Sequence, residues 1–206
     1  MNKKGETLLE VLIALTIVAV SAAAAASAIV SANKGLALSK NYMVAQNLAS
    51  EGLEIVKNIR DTNWMKFPLN KKDCWLNLNV AATQSTDCAA EKIEWNEGAD
   101  ANNDYYIEKI GNRWTLGTDS NQKIDNLPVP DKFGLKLEES QPPASPERKY
   151  TPISSGETAA FYRGIRVLDL DTTNGEESLT IQVIVKWYEG AKLFEIQGTE
   201  ILTNYL

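Results

Sequence analysis

The feature that most constrains this chain is an uncharged, strongly apolar run near its N-terminus. From Val11 to Asn33 the sequence reads VLIALTIVAVSAAAAASAIVSAN, with no acidic or basic residue. At about 1.5 Å per residue such a run, as a helix, spans a hydrocarbon core of roughly 30 Å. Lys3 and Lys4 precede it and Lys34 and Lys40 follow it. A short basic head favours an N-terminus held in the cytoplasm, with the rest of the chain outside it. The apolar pattern continues beyond the run. Leu38, Tyr42, Ala45, Leu48, Ala49, Gly52, Ile55, Val56 and Ile59 recur at steps of three and four, which draws one stripe along a helix. Asn47, Glu51, Glu54 and Asn58 fall on the other side, and Glu54 and Lys57 stand one turn apart. No proline occurs before Pro68. Thr7 has the chemistry of an N-cap, and Glu10 completes a capping-box spacing. The pattern therefore predicts one helix over about 7–60, roughly 80 Å long. Its half over 6–33 is apolar all round and its half over 34–60 is amphipathic.

Glu10 is the anomaly in this helix. A carboxylate at the edge of an apolar run costs several kcal/mol if it is left unpaired, on the order of the penalties for isolated buried charges. It is either a headgroup-level charge that caps the helix or one half of an ion pair whose partner lies elsewhere.

The residues around Glu10 carry a resemblance. Lys3-Lys4-Gly5, then Glu6-Thr7-Leu8-Leu9-Glu10 and the uncharged helix, resemble the processing site of type IV prepilins. In that family a membrane peptidase cuts after the glycine and the new amine is methylated. The resemblance implies cleavage between Gly5 and Glu6, with residues 1–5 as leader and the methylated amine on Glu6. It implies that Glu10 pairs with the amine of a neighbouring subunit during assembly. Glu6 departs from the family, which most often has phenylalanine there, and the usual mid-segment proline is missing. The run Ala22–Ala26 offers instead a surface on which helices approach closely. The segment from Ala45 to Asp61 and the C-terminal stretch with Val-Ile-Val-Lys-Trp-Tyr-Glu-Gly are similar to minor pilins of the pilus-modification type.

Residues 61–206 form a head large enough for one core. Leu179, Ile181, Val183, Val185 and Trp187 alternate with Thr180, Gln182, Lys186 and Tyr188, which predicts a half-buried strand with Ile184 as the apolar exception on its polar face. Phe161–Leu170 before an Asn174-Gly175 turn, and Lys192–Leu202 after Glu189-Gly190, complete a three-stranded antiparallel meander over 159–202. Cys74–Val80 alternates as a strand, and Asp104–Ile110 with Arg113–Gly117 suggests a hairpin around Gly111. Glu138–Gly156, rich in proline, serine and charge, reads as an exposed loop. The fold class is α+β: a long N-terminal helix whose C-terminal half packs on an antiparallel sheet, the pilin-like plan.

The side-chain inventory narrows the chemistry. There is no histidine among the 206 residues, which removes His-based acid–base, nucleophile and metal chemistry. The net charge of −6 argues against a nucleic-acid surface. Cys74 and Cys88, placed outside the cytoplasm, are expected to form a disulfide worth roughly 3 kcal/mol. Asp100, Asn102 and Asp104 are spaced like the first ligands of a calcium loop, but Tyr105 stands where its glycine belongs. Asp169, Asp171 and Glu177 offer further oxygens; solvated turns are the default for both groups, and no metal or cofactor is assigned. Trp64, Trp75, Trp95, Trp114 and Trp187 pose a choice between a sugar-stacking surface and packing. Trp187 fits the core face of its strand, and the others read as core or helix packing.

The sequence reading is thus a pilin-like filament subunit, a minor pilin rather than a major one, and not an enzyme. Its expected partners are other pilin subunits, the prepilin peptidase and methyltransferase, the inner-membrane assembly machinery, and the membrane before assembly. Its path runs from a single-pass inner-membrane protein to a surface pilus or a periplasmic pseudopilus. The alternatives are a pseudopilin of a type II secretion or DNA-uptake system, and an exported or membrane-anchored extracellular binding protein with a conventional signal peptide cut after one of the alanines of Ala22–Ala28.

Overall fold

A computed structural model describes residues 4–75, 104–110, 113–118, 122–139, 148–153, 157–171 and 177–204. The chain divides into two compact units, Met1–Val44 and Ala45–Leu206. A single helix, α1, runs from Lys4 to Lys66 and supplies the first unit and the beginning of the second. It starts before Thr7, so Thr7 lies inside the helix instead of capping it. It also runs beyond residue 60, because packing overrides the weak helix preference of Thr62 and Asn63. Asn63 is fully buried, and its Nδ2 donates to the Trp75 carbonyl at 3.0 Å. The helix ends just ahead of Pro68, which lacks the amide hydrogen to continue it.

Among the described residues of the second unit α1 is followed by a one-turn helix, α2 (Lys71–Cys74), and seven strands. These are β1 (Tyr105–Ile110), β2 (Arg113–Thr118), β3 (Gly134–Glu139), β4 (Arg148–Pro152), β5 (Phe161–Asp171), β6 (Ser178–Glu189) and β7 (Lys192–Thr203). All pairings are antiparallel. The expected meander is present as β5–β6–β7, joined at its second turn through Gly190 with φ 61, a conformation that favours glycine. The expected β1–β2 hairpin is also present, with Ile110 opposite Arg113. The far edge of β5 is shared, with β3 pairing at Phe161–Tyr162 and β1 at Ile165.

Two expectations are corrected. Cys74 closes the helix α2 and does not begin a strand; 76–80 lie outside the described residues. The segment read as an exposed loop over Glu138–Gly156 contributes strand at both ends, since β4 pairs with β3 from Leu135↔Pro152 to Glu139↔Arg148. Within that polar stretch Tyr150 supplies the β-forming side chain, its ring meeting Phe161 edge-on at 5.3 Å. Pro152 is tolerated because it ends the strand.

The core lies between one face of the meander and the second half of α1. Leu179, Ile181, Val183, Val185 and Trp187 are all essentially inaccessible to solvent. On the helix, Ala45, Leu48, Ala49, Ile55, Val56 and Ile59 are buried, whereas Leu38 is half-buried and Tyr42 is exposed. The periodic stripe therefore extends further toward the N-terminus than the burial does. Helix and sheet approach closely at Gly52, where a Cβ would stand 2.8 Å from Val183 Cγ1. Beside it Arg163, itself buried, donates through Nη1 to the Leu48 carbonyl at 3.2 Å and to Glu51 at 2.9 Å. Burial in this position pushes the Arg163 guanidinium below its ordinary pKa, and Glu51 opposes the shift.

The opposite face of β6 is not simply polar. Ile184 is buried with Ile124, Val129 and Phe133, which come from a segment over 122–133 that contains a 3₁₀ turn at Asp131–Phe133. Ile184, the apolar exception in the alternation, marks where this second layer sits.

The close approach at Gly52 yields an expected outcome. Gly52→Ala should lower stability by about 1–2 kcal/mol, because overpacking against Val183 outweighs the better helix propensity of alanine. Gly198→Ala, whose Cβ would meet Leu53 at an ordinary 3.5 Å, should be close to neutral. Chemical denaturation followed by tryptophan fluorescence compares the two; equal effects would refute the close packing.

Candidate functional site

The residues singled out for assembly lie on the first part of α1. From Leu8 to Ala37 every described side chain is exposed, including Leu9, Leu12, Ile13, Leu15, Ile17, Val18 and Val20. The helix is long and apolar enough there to cross a membrane. Three of its hydroxyl groups are bonded within the helix. Thr16 Oγ1 donates to the Ile13 carbonyl at 2.7 Å, Ser21 Oγ to Ile17 at 2.7 Å and Ser27 Oγ to Ala24 at 2.9 Å. Hydroxyls bonded back to their own helix add no unpaired donor in an apolar medium. Glu10 is different. Its carboxylate is exposed, and among the described residues no cation pairs with it. Gly5 lies in the helical stretch, and the side chain of Glu6 lies outside the described residues.

Cys74 is fully buried and packs against Phe67. The segment that carries it is tied to the end of the meander. Trp75 Nε1 donates to Glu177 Oε2 at 2.8 Å, and the Asn204 amide nitrogen donates to the Glu177 carbonyl at 2.9 Å. Cys88, Trp95 and Asp100–Asn103 lie outside the described residues.

The remaining acidic candidates have other work. Asp104 is buried, and its two oxygens accept from Arg166 Nε and Nη2 at 2.7 Å each. Oδ2 also accepts the backbone amide of Ile124 at 2.8 Å. A carboxylate so engaged is a clamp on the 122–133 segment and a poor ligand for a cation. Glu177 is occupied by Trp75, while Asp169 and Asp171 are exposed on β5.

Sequence reasoning did not find the ion-pair chain that Asp104 begins. Arg166 also bonds Asp125 at 2.7 Å, Asp125 bonds Lys186, and Lys186 pairs with Glu195 of β7 at 3.0 Å. The Asp104 and Asp125 carboxylates hold the Arg166 guanidinium above its usual pKa. Burial works against charge on Lys186, but Asp125 and Glu195 outweigh it and raise its pKa. Burial likewise opposes charge on Asp125, but Lys186 and Arg166 together draw its pKa below the usual aspartate value. The hint in the sequence is that Arg166 and Lys186 are basic residues on two strands that each bury a face. Asp104→Ala should cost about 3 kcal/mol in urea denaturation, because it leaves the Ile124 amide and much of the Arg166 fork unpaired. Asp104→Asn should cost less, since it keeps an acceptor for Ile124; equal stability of Asp104→Ala and the parent would refute the clamp.

Comparison with known proteins adds one finding to this geometry. A family model described as the prokaryotic N-terminal methylation motif matches residues 1–26, the stretch that contains Gly5, Glu6 and Glu10. No curated protein and no solved structure matches the chain. The motif indicates a prepilin-peptidase substrate with an apolar N-terminal helix, and together with that helix and an antiparallel sheet head it fits a type IV pilin-like protein.

Proposed function

We propose that this chain is a minor pilin, a filament subunit whose work is assembly and surface display without a catalytic step of its own. Prepilin peptidase cuts between Gly5 and Glu6, and the new Glu6 amine is methylated. Before assembly the apolar helix anchors the protein in the inner membrane, N-terminus inward and head outward, and the assembly machinery then draws it into a filament with other pilin subunits.

The observation that carries this reading is Glu10. It is the one carboxylate from Leu8 to Ala37, and it is exposed, whereas the Thr16, Ser21 and Ser27 hydroxyls are bonded within the helix. In an environment of low dielectric an unpaired charge costs several kcal/mol and an opposite charge attracts strongly, on the order of 4 kcal/mol at 4 Å for an intermediate dielectric. Cleavage creates such a charge at Glu6, one helical turn away in sequence. The Glu6 carboxylate lies beside that amine in every subunit and competes for it with the Glu10 of a neighbour. Pairing of Glu10 with a neighbour's amine sets the axial register between subunits as well as contributing affinity. The second covalent feature is a Cys74–Cys88 disulfide, favoured by the oxidising surroundings outside the cytoplasm.

Mass spectrometry of the mature protein tests the processing. The expected N-terminal peptide begins at methylated Glu6, and an unreduced digest contains Cys74 and Cys88 joined. A peptide that begins after Ala24, Ala26 or Ala28 would overturn the proposal in favour of an ordinary exported protein. Glu10→Ala should leave the protein in the membrane fraction but out of sheared filaments; normal incorporation would refute the pairing role.

A further inference from the structure

Strand β7 forms an edge of the sheet. Among the described residues it pairs with β6 alone, and β4 pairs with β3 alone. Exposed edges are usually blunted by a short strand, a bulge or a proline. β7 has none of these. It runs for 12 residues, contains no proline and keeps its register with β6 unshifted from Ser178↔Thr203 to Glu189↔Lys192.

The phase of each edge follows from its neighbours. The two-residue turn Gly190-Ala191 makes Glu189↔Lys192 a hydrogen-bonded pair, and such pairs alternate along the ladder. Lys192 and the even-numbered residues after it therefore bond β6, and Glu195, Gln197 and Thr199 turn their N–H and C=O groups outward. On β4 the Ile153 amide donates to the Gly134 carbonyl at 3.1 Å. Counting back from that bond, Thr151 and Lys149 face β3, and Tyr150 and Arg148 turn their backbone groups outward. Pro152 falls in the outward phase, where its missing N–H leaves no bond to β3 unmade.

Direction and charge favour one partner for this edge. Four antiparallel pairings separate β7 from β4, so the two edges run the same way. A second copy in the same orientation brings its β4 to β7 as a parallel strand. Pairing β7 with β7 about a two-fold axis normal to the sheet would reverse the second α1, which copies anchored in one membrane do not allow. The ion-pair chain that ends on β7 holds three carboxylates, Asp104, Asp125 and Glu195, against two cations, Arg166 and Lys186. Lys57 is likewise shared by two carboxylates, Glu54 and Glu200 of β7. Both networks that reach β7 thus hold one acid more than they hold bases. β4, in contrast, has two basic residues and no acid. Its Lys149 is exposed and in no ion pair among the described residues; Glu138, opposite it on β3, pairs with Lys136 at 3.8 Å.

We infer that this chain binds a second copy of itself edge to edge, the β4 of one head adding in parallel to the β7 of the next, with Lys149 beside Glu195. In that register the Tyr150 N–H donates to the Glu195 carbonyl, and the Gln197 N–H donates to the Tyr150 carbonyl. The faces match as well. Tyr150 meets Phe161, which meets Trp187 on the side of α1, so Lys149 lies on the other side, where Glu195 stands opposite Lys186. A carboxylate accepts about four hydrogen bonds, so Glu195 takes a second ammonium without releasing Lys186. The contact leaves a β4 at one end and a β7 at the other, and so it repeats from copy to copy. It rests on the filament reading for the choice of a copy of this chain as partner.

The test is zero-length carbodiimide cross-linking of the full chain, read by peptide mass spectrometry. It is done on sheared filaments and, separately, on the protein densely loaded into phosphatidylcholine vesicles. Within one copy Lys149 and Glu195 stand four strand spacings apart, about 19 Å, so a link between them joins two copies. Lys186 and Glu195, 3.0 Å apart in one copy, give the control link. The expected result is a Lys149–Glu195 link in species of two or more copies. Gln197→Pro removes an outward N–H and should cut the yield of that link roughly tenfold while the control link persists. Should the proline disturb β7, Gln197→Arg, at an exposed side chain, sets a like charge near Lys149 and should also lower the yield. Absence of the Lys149–Glu195 link from both samples while the control forms would overturn the inference, and so would a yield that neither substitution changes. A link in vesicles from a protein that never enters filaments upholds the edge contact and counts against the filament reading alone. Normal filaments, with the link missing there and in vesicles, do the reverse.

Discussion

One helix has to satisfy two environments, and everything else in the molecule follows from that. Over its first half α1 exposes apolar side chains on every side, with the Thr16, Ser21 and Ser27 hydroxyls folded back onto its own carbonyls. Over its second half the same helix buries one stripe and exposes Glu54 and Asn58. No break in the backbone separates the halves; only the distribution of side chains changes. A helix can do this because its backbone hydrogen bonds are internal whatever surrounds it. The methylation motif sits at the apolar end, where its glutamate is the feature that a hydrocarbon environment tolerates least.

The head is organised around the approach of the second half of α1. Gly52 lets the helix backbone come close to Val183, and Arg163 reaches from β5 to bond the helix beside it. Lys57 and Glu200 tie the next turns to β7. On the other side of the sheet the 122–133 segment covers Ile184 and is held by the chain of Asp104, Arg166, Asp125 and Lys186. The meander is therefore covered on both faces, by a helix on one and a strap of irregular backbone on the other. Such ion pairs add little when they are exposed, but here Asp104 and Lys186 are withdrawn from solvent, so their value lies in fixing which segment lies where.

The elements that were legible in advance are those with strong local periodicity. The apolar stripe over Ala45–Ile59, the alternation of β6 and the turn at Glu189-Gly190 are properties of neighbouring residues, and each formed as expected. The errors have one origin. Thr7 has the composition of a cap, Cys74 the setting of a strand and Arg148–Pro152 the composition of a loop, yet each adopts what its surroundings require. Tyr150 is a strand residue because Phe161 is there to meet it, and Asn63 is helical because Trp75 accepts its amide hydrogen. Sequence distance hides these partners.

The candidate site divides in the same way. Gly5, Glu6 and Glu10 lie in the short linear segment that the methylation motif matches, and a resemblance to prepilin processing sites is enough to pick them out. The sequence by itself thus determined the processing motif, the apolar helix, the meander and the absence of histidine chemistry. Only the tertiary structure decided that Asp104 is a clamp, that Ile184 belongs to a second core, and that β4 and β7 are edges of one sheet. The reason is physical: periodicity and turn chemistry act over a few residues, whereas ion pairing, close packing and strand order are made by residues that the fold alone brings together.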